Sequence, residues 1–106
     1  MIKTGIDIVH NMKMKSHLSV DSFLNKVFHF SELKNKEKLI GIFALKEAVM
    51  KAIGKKVDWK FIEISFPKGK PNIFLSDDIK TDSIKSIDGS ISHDGEYTVA
   101  IVVIEI

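Results

Sequence analysis

The sequence predicts an α+β fold, an antiparallel sheet packed with helices, and three observations point there. Residues 2–9 alternate as a strand does. Apolar residues recur at helical spacing from Leu39 to Ile53. The second half is a series of short β-type runs broken by Pro, Gly and Asp-Gly turns. At 106 residues, without a linker, repeat or low-complexity segment, the chain reads as one domain spanning residues 1–106.

Ile2, Thr4, Ile6 and Ile8 alternate with Lys3, Gly5, Asp7 and Val9, which predicts a first strand with Asp7 on its more polar face. His10 to His17 is a polar connection with helical tendency. Leu18, Phe23, Leu24, Val27 and Phe28 recur at helical spacing, and residues 30–38 form a lysine-rich loop or helix entry. Leu39, Ile42, Phe43, Val49, Met50 and Ile53 make a wide apolar stripe on the next helix. Gly54 is placed to end it, with Lys55 and Lys56 favourable beside a helix C-terminus. Lys60 to Phe66 reads as a strand, residues 67–71 as a turn and Asn72 to Leu75 as a return strand. Ser76 to Ser83 holds a brief helix or none, and its Asp77, Asp78 and Asp82 are solvated loop charges. Ser90 to His93 and Tyr97 to Ile106 form a hairpin about Asp94-Gly95. The last strand is apolar on both faces, which predicts a central place in the sheet or cover on both sides.

Composition narrows the function. Hydrophobic residues are 44% and charged residues 28%, ordinary values for a globular protein. With no cysteine, thiolate catalysis, disulfides and cysteine zinc sites are excluded. No stretch has the length of a membrane span, and Met1 leads straight into a strand, so a cytoplasmic location is expected. No P-loop, dinucleotide glycine pattern, Ser-His-Asp arrangement or interleaved basic-aromatic surface is present, so neither nucleic acid nor membrane is an expected partner. The net charge is +2, and all 16 basic residues are lysine; any anion would meet ammonium point charges rather than a bidentate guanidinium.

Two carboxylates stand where packing does not ask for them. Asp7 lies inside a β-branched run, and strands are depleted in Asp. Glu47 lies on the long helix among Ala44, Ala48 and Lys51. Alone, Glu47 and Lys51, four apart, read as a surface ion pair worth about 0.3–0.5 kcal/mol. Together, a strand carboxylate and a helix carboxylate suit a hard cation such as Mg²⁺, with positions left for water and phosphate oxygens. His93 beside the turn reads as a hairpin-end residue, Trp59 as a packing anchor, and His10, His17 and His29 lack metal-ligand spacing.

Gly5-Ile6-Asp7-Ile8-Val9, Phe43-Ala44-Leu45-Lys46-Glu47-Ala48, Lys51-Ala52-Ile53-Gly54, Gly69-Lys70-Pro71 and Ser90-Ile91-Ser92-His93 with Tyr97 resemble, in this order, the holo-acyl-carrier-protein synthase family. Val27-Phe28 with Glu32 is similar to that family's Phe-Thr-x-x-Glu segment. The resemblance implies a 4′-phosphopantetheinyl transferase-like fold and Mg²⁺-dependent transfer of phosphopantetheine from coenzyme A to a serine of an apo acyl carrier protein. Adenosine 3′,5′-bisphosphate would be the other product. By the family pattern Asp7 and Glu47 hold Mg²⁺, and Lys51 neutralises charge on the leaving group. Lys46 is a second phosphate contact. Gly54, Ser92 and His93 belong to the coenzyme A site, the last two at its nucleotide end. The base for the serine proton is either Glu47 or a metal-bound water.

The resemblance also implies a homotrimer with sites between subunits, Asp7 and His93 from one chain and Glu47 from its neighbour. Lys13 and Lys26 would steer an acidic carrier protein. Ile42 departs from the family's usual Arg, Gly54-Lys55-Lys56 from its Gly-Thr-Gly, and His10-Asn11 from an acidic and an apolar residue. These departures motivate a second reading, a non-catalytic module of the same fold that binds carrier proteins. A third is a generic α+β scaffold whose charges only decorate the surface.

Overall fold

The computed structural model describes residues 1–79 and 83–106, so the expectation for Asp82 lies outside the described residues. Strand β1 (Ile2–His10) is followed by helices α1 (Asn11–Leu18), α2 (Asp21–Val27) and α3 (Phe30–Leu33). A short 3-10 turn at Lys36–Lys38 leads into the long helix α4 (Leu39–Ile53). After a second 3-10 turn at Trp59–Phe61 come β2 (Ile62–Ser65), β3 (Asn72–Leu75), β4 (Ser86–Asp94) and β5 (Tyr97–Glu105). Strands β1, β5 and β4 form one antiparallel sheet in that order, and β2 and β3 a two-stranded one. The β5 strand is therefore central, as its apolar run predicts.

Helix α4 lies across the sheet, and its burial is nearly all-round: Ala44, Leu45, Ala48 and Val49 are closed off completely. It ends where Gly54 turns left-handed at φ 81°, the Gly54 N–H donating to the Met50 carbonyl at 2.9 Å. Against the sheet the helix comes very close. A Cβ on Gly5 would run into the Ala48 carbonyl oxygen and sit 2.7 Å from the Ala52 nitrogen. Only glycine lets β1 and α4 meet at this point.

That close approach reverses a sequence expectation. The polar-looking side of β1, with Gly5, Asp7 and Val9, faces the helix, while Ile2, Ile6 and Ile8 point outward and are about 60% exposed. Ile101 and Val103 of β5 share this outer face. The hairpin also differs by one residue. Asp94 pairs with Tyr97, so the two-residue loop is Gly95-Glu96, with Gly95 at φ 59° as a II′-type turn requires. Ile79 is buried, and Asp77–Asp78 form a turn rather than a helix.

One buried carboxylate ties helix α3 to α4 and to β2. Glu32 accepts from the Lys46 ammonium and the His29 N–H, both at 2.7 Å, and from the Ile64 N–H at 2.8 Å. Lys46 completes its shell on the Val27 carbonyl at 2.8 Å. Trp59 stacks on Phe43 with ring centroids 5.1 Å apart, the anchor role expected of it.

Candidate active site

Asp7 and Glu47 come to one cavity of about 220 Å³, walled by β1, α1 and α4, with Phe43, Val9 and Lys13 among its lining. Strand alternation and the glycine at position 5 put Asp7 against the helix. The helical repeat from Phe43 puts Glu47 one turn further on the same face. The side chains of Asp7 and Glu47 are 14% and 19% exposed, so both carboxylates are partly withdrawn from water yet reachable. The resemblance led to the expectation that Asp7 and Glu47 come from different chains. In the structure both residues of a single chain line this cavity.

Each carboxylate already has a lysine beside it. Lys51 Nζ donates to Asp7 Oδ1 at 3.1 Å and to the Ile6 carbonyl at 3.0 Å. Lys56 Nζ stands 3.9 Å from Glu47 Oε1. The expected pair between Glu47 and Lys51 is thus replaced by pairs reaching from β1 to α4 and from α4 to the segment after Gly54. The two sites of negative charge therefore accept cations at close range, which is what a divalent cation would ask of them. Among the described residues no group of three His, Asp or Glu side chains gathers as a metal cluster. The donor set fits Mg²⁺, which is commonly held by one or two carboxylates with water and substrate phosphates completing the shell.

His93 belongs to a second cavity, of about 260 Å³, with Lys38, Gly41, Phe66, Gly69 and Pro71. The Gly69-Lys70-Pro71 and His93 motifs, far apart in sequence, thus meet here, although Lys70 itself turns away to Asp88 at 3.0 Å. The carboxylate cavity is lined from β1 and the His93 cavity from β4, the two edge strands of the three-stranded sheet, which stand about 10 Å apart across β5. Ser92 alternates to the other face of β4 and is exposed. Gly54 acts as the end of α4, and no Cβ there would meet a neighbour.

Lys46 is a correction. Its ammonium is fully buried on Glu32 and the Val27 carbonyl, so it is a structural lysine and no phosphate contact. Burial pulls its pKa below the ordinary 10.5, and the hydrogen bond and charge of Glu32 pull the other way. Sequence reasoning also missed Asn11 and Thr98. The Thr98 hydroxyl donates to Asn11 Oδ1 at 2.7 Å and stands 2.8 Å from His93 Nδ1. A threonine on the inward face of a central strand, at a position otherwise apolar, was the available signal.

The 4′-phosphopantetheinyl transferase superfamily model matches residues 3–102. The holo-[acyl-carrier-protein] synthase of Sulfurimonas denitrificans is 39% identical, over 95% of this chain and 93% of its own. That of Finegoldia magna is 33% identical, over 97% and 95%. The crystal structure of Helicobacter pylori holo-[acyl-carrier-protein] synthase in complex with coenzyme A superposes with a TM-score of 0.86 at 35% identity, covering 99% of this chain and all of that one. The chain belongs to the holo-[acyl-carrier-protein] synthase family of this superfamily.

Proposed function

We propose that this chain transfers 4′-phosphopantetheine from coenzyme A to a serine of an apo acyl carrier protein, using Mg²⁺ and releasing adenosine 3′,5′-bisphosphate. The observation that carries the reading is the convergence of Asp7 and Glu47 on one cavity with Lys51 on Asp7. In the reaction the serine hydroxyl gives up its proton to a base, Glu47 or a water, and its oxygen forms a bond to the phosphorus of the pantetheine phosphate. The bond from that phosphorus to the bridging oxygen breaks, and its electron pair leaves with adenosine 3′,5′-bisphosphate. Asp7 and Glu47 would hold Mg²⁺, whose contribution is charge neutralisation on the pyrophosphate. Lys51 is tethered by the Ile6 carbonyl beside Asp7, and it would neutralise charge on the departing phosphate. Phosphoryl-type transfer asks for this alignment and neutralisation more than for covalent help.

The proposal includes a homotrimer with shared sites. The outer face of the sheet supports it: Ile2, Ile6, Ile8, Ile101 and Val103 form an apolar surface that the chain itself does not cover. The His93 cavity, separate from the carboxylates within one chain, would be brought to Asp7 and Glu47 by a neighbour. Lys13 lines the carboxylate cavity and would meet an acidic carrier protein there, and Lys26, in the last turn of α2, would be a second basic contact. A cytoplasmic setting goes with these substrates. No described helix is long and apolar enough to cross a membrane.

Intact-mass analysis of an apo acyl carrier protein incubated with this protein, coenzyme A and Mg²⁺ tests the reading. A phosphopantetheine-sized gain that chelator abolishes is expected. No gain from folded protein that still binds the carriers would favour the non-catalytic module, to which Ile42 buried in place of the family's Arg and Lys56 beside Glu47 lend some weight.

A further inference from the structure

We propose that Asn11 and Thr98 are positioning residues that hold His93 as its Nδ1–H tautomer, presenting the Nε2 lone pair to its cavity as an acceptor. The Gly95 carbonyl can only accept a hydrogen bond. It faces the Asn11 side chain at 3.4 Å, so the group there is Nδ2, a donor. Asn11 Oδ1 is then the end that meets Thr98, 2.7 Å away, and the Thr98 hydroxyl spends its single proton on it. What remains to the hydroxyl toward His93 is a lone pair, and a contact of 2.8 Å requires His93 Nδ1 to carry the proton. The middle of the chain is the most enclosed part, and the Asn11–Gly95 contact at its end is exposed. Thr98 is 1% exposed, and the Asn11 backbone N–H is fixed on the Glu96 carbonyl at 2.8 Å.

The consequence concerns recognition. With Nδ1 committed, the neutral ring offers only an acceptor to the cavity it shares with Lys38, Gly69 and Pro71. It would therefore take an N–H or O–H donor, such as an adenine amino group or a ribose hydroxyl. An unprotonated phosphate oxygen is itself an acceptor and does not suit it; Lys38 is the cation in that cavity for such a group. The inference rests on the transferase reading only for the ligand's identity, coenzyme A. The tautomer itself is a property of the free protein.

The test is nitrogen-15 NMR of the histidine rings in ligand-free protein at neutral pH, with His93 assigned through His93→Gln. Native protein is expected to show Nδ1–H at His93. Thr98→Val keeps the shape but removes the hydroxyl, and should let the ring revert to Nε2–H, the tautomer imidazole side chains favour in water. Thr98→Ser should restore Nδ1–H. An Nε2–H ring in native protein, or a Thr98→Val ring unchanged from native, overturns the proposal. Calorimetry with coenzyme A is expected to show affinity about fivefold weaker in Thr98→Val and recovered in Thr98→Ser, as for one hydrogen bond. If native protein binds no coenzyme A, the transferase reading fails, and the NMR result still decides the tautomer.

Discussion

At the scale of single residues, charge is used in two different ways. Asp7 and Glu47 keep partial access to water beside lysines that are themselves more than half exposed. Glu32 and Lys46 are sealed and fully bonded. Replacing Asp7 or Glu47 by Ala is expected to abolish transfer by at least a hundredfold while leaving a folded protein; carrier mass analysis and circular dichroism check both halves. Glu32→Gln leaves Lys46 buried without its counter-charge and should cost about 3–5 kcal/mol in urea denaturation. The double variant Glu32→Gln/Lys46→Met, carrying neither charge, should lie closer to native. The pair also has a signed pH dependence. Between the lowered folded pKa of Lys46 and 10.5, the unfolded chain keeps a proton that the folded chain sheds. The stability of native protein relative to the double variant should therefore rise as pH climbs through that window; a fall would contradict the direction. The sequence marked Lys46 and Glu47 as equals, adjacent and both polar. A turn of 100° separates them on the helix, and only the packing of Glu32 shows which one is sealed.

At the scale of elements, the site depends on how closely β1 approaches α4. Periodicity was enough to find α4, its glycine stop and the three strands of the main sheet, because those patterns are local. It was not enough to say which side of β1 meets the helix. The isoleucines of the outer face are the more apolar, and hydrophobicity alone assigns them to the core. Gly5 decides otherwise, since a side chain there would collide with the Ala48 carbonyl. Gly5→Ala is therefore expected to do two things: to destabilise by about 3 kcal/mol or more through overpacking, and to move Asp7, two residues on, away from Glu47. Thermal denaturation reports the first. Binding of Mn²⁺, followed by its spin resonance without any turnover, reports the second as weakened affinity. Gly54→Ala, at a left-handed position open to solvent, should instead cost about 1 kcal/mol and leave metal binding unchanged, which makes it a control for stability alone.

At the scale of the whole molecule, the carboxylates and His93 stand at the two edges of one sheet, and the outer face of β1 and β5 carries exposed apolar residues. The sequence contained the alternation of β1 and a β5 apolar on both faces but could not say which apolar residues lie outside, because burial by a second copy and burial by one's own helix ask for the same residues. If copies of the chain cover that face, Ile6→Lys should convert a three-chain assembly to folded single chains by light scattering, with loss of transfer. The division of the site can be tested separately by mixing Asp7→Ala chains with His93→Ala chains. Within one chain each variant lacks an essential group, so self-contained sites would stay inactive at any mixing ratio. If Asp7 of one subunit works with His93 of the next, random assembly in a closed ring pairs two intact groups at about a quarter of the interfaces, and transfer should recover to about that fraction of native. Recovery must also need subunit exchange. It should appear only after the two variants are dissociated and reassembled together, and mixing preformed assemblies should give none at first. Activity that failed to recover after verified co-assembly would show that each chain carries its whole site, and the exposed isoleucines would then need another explanation.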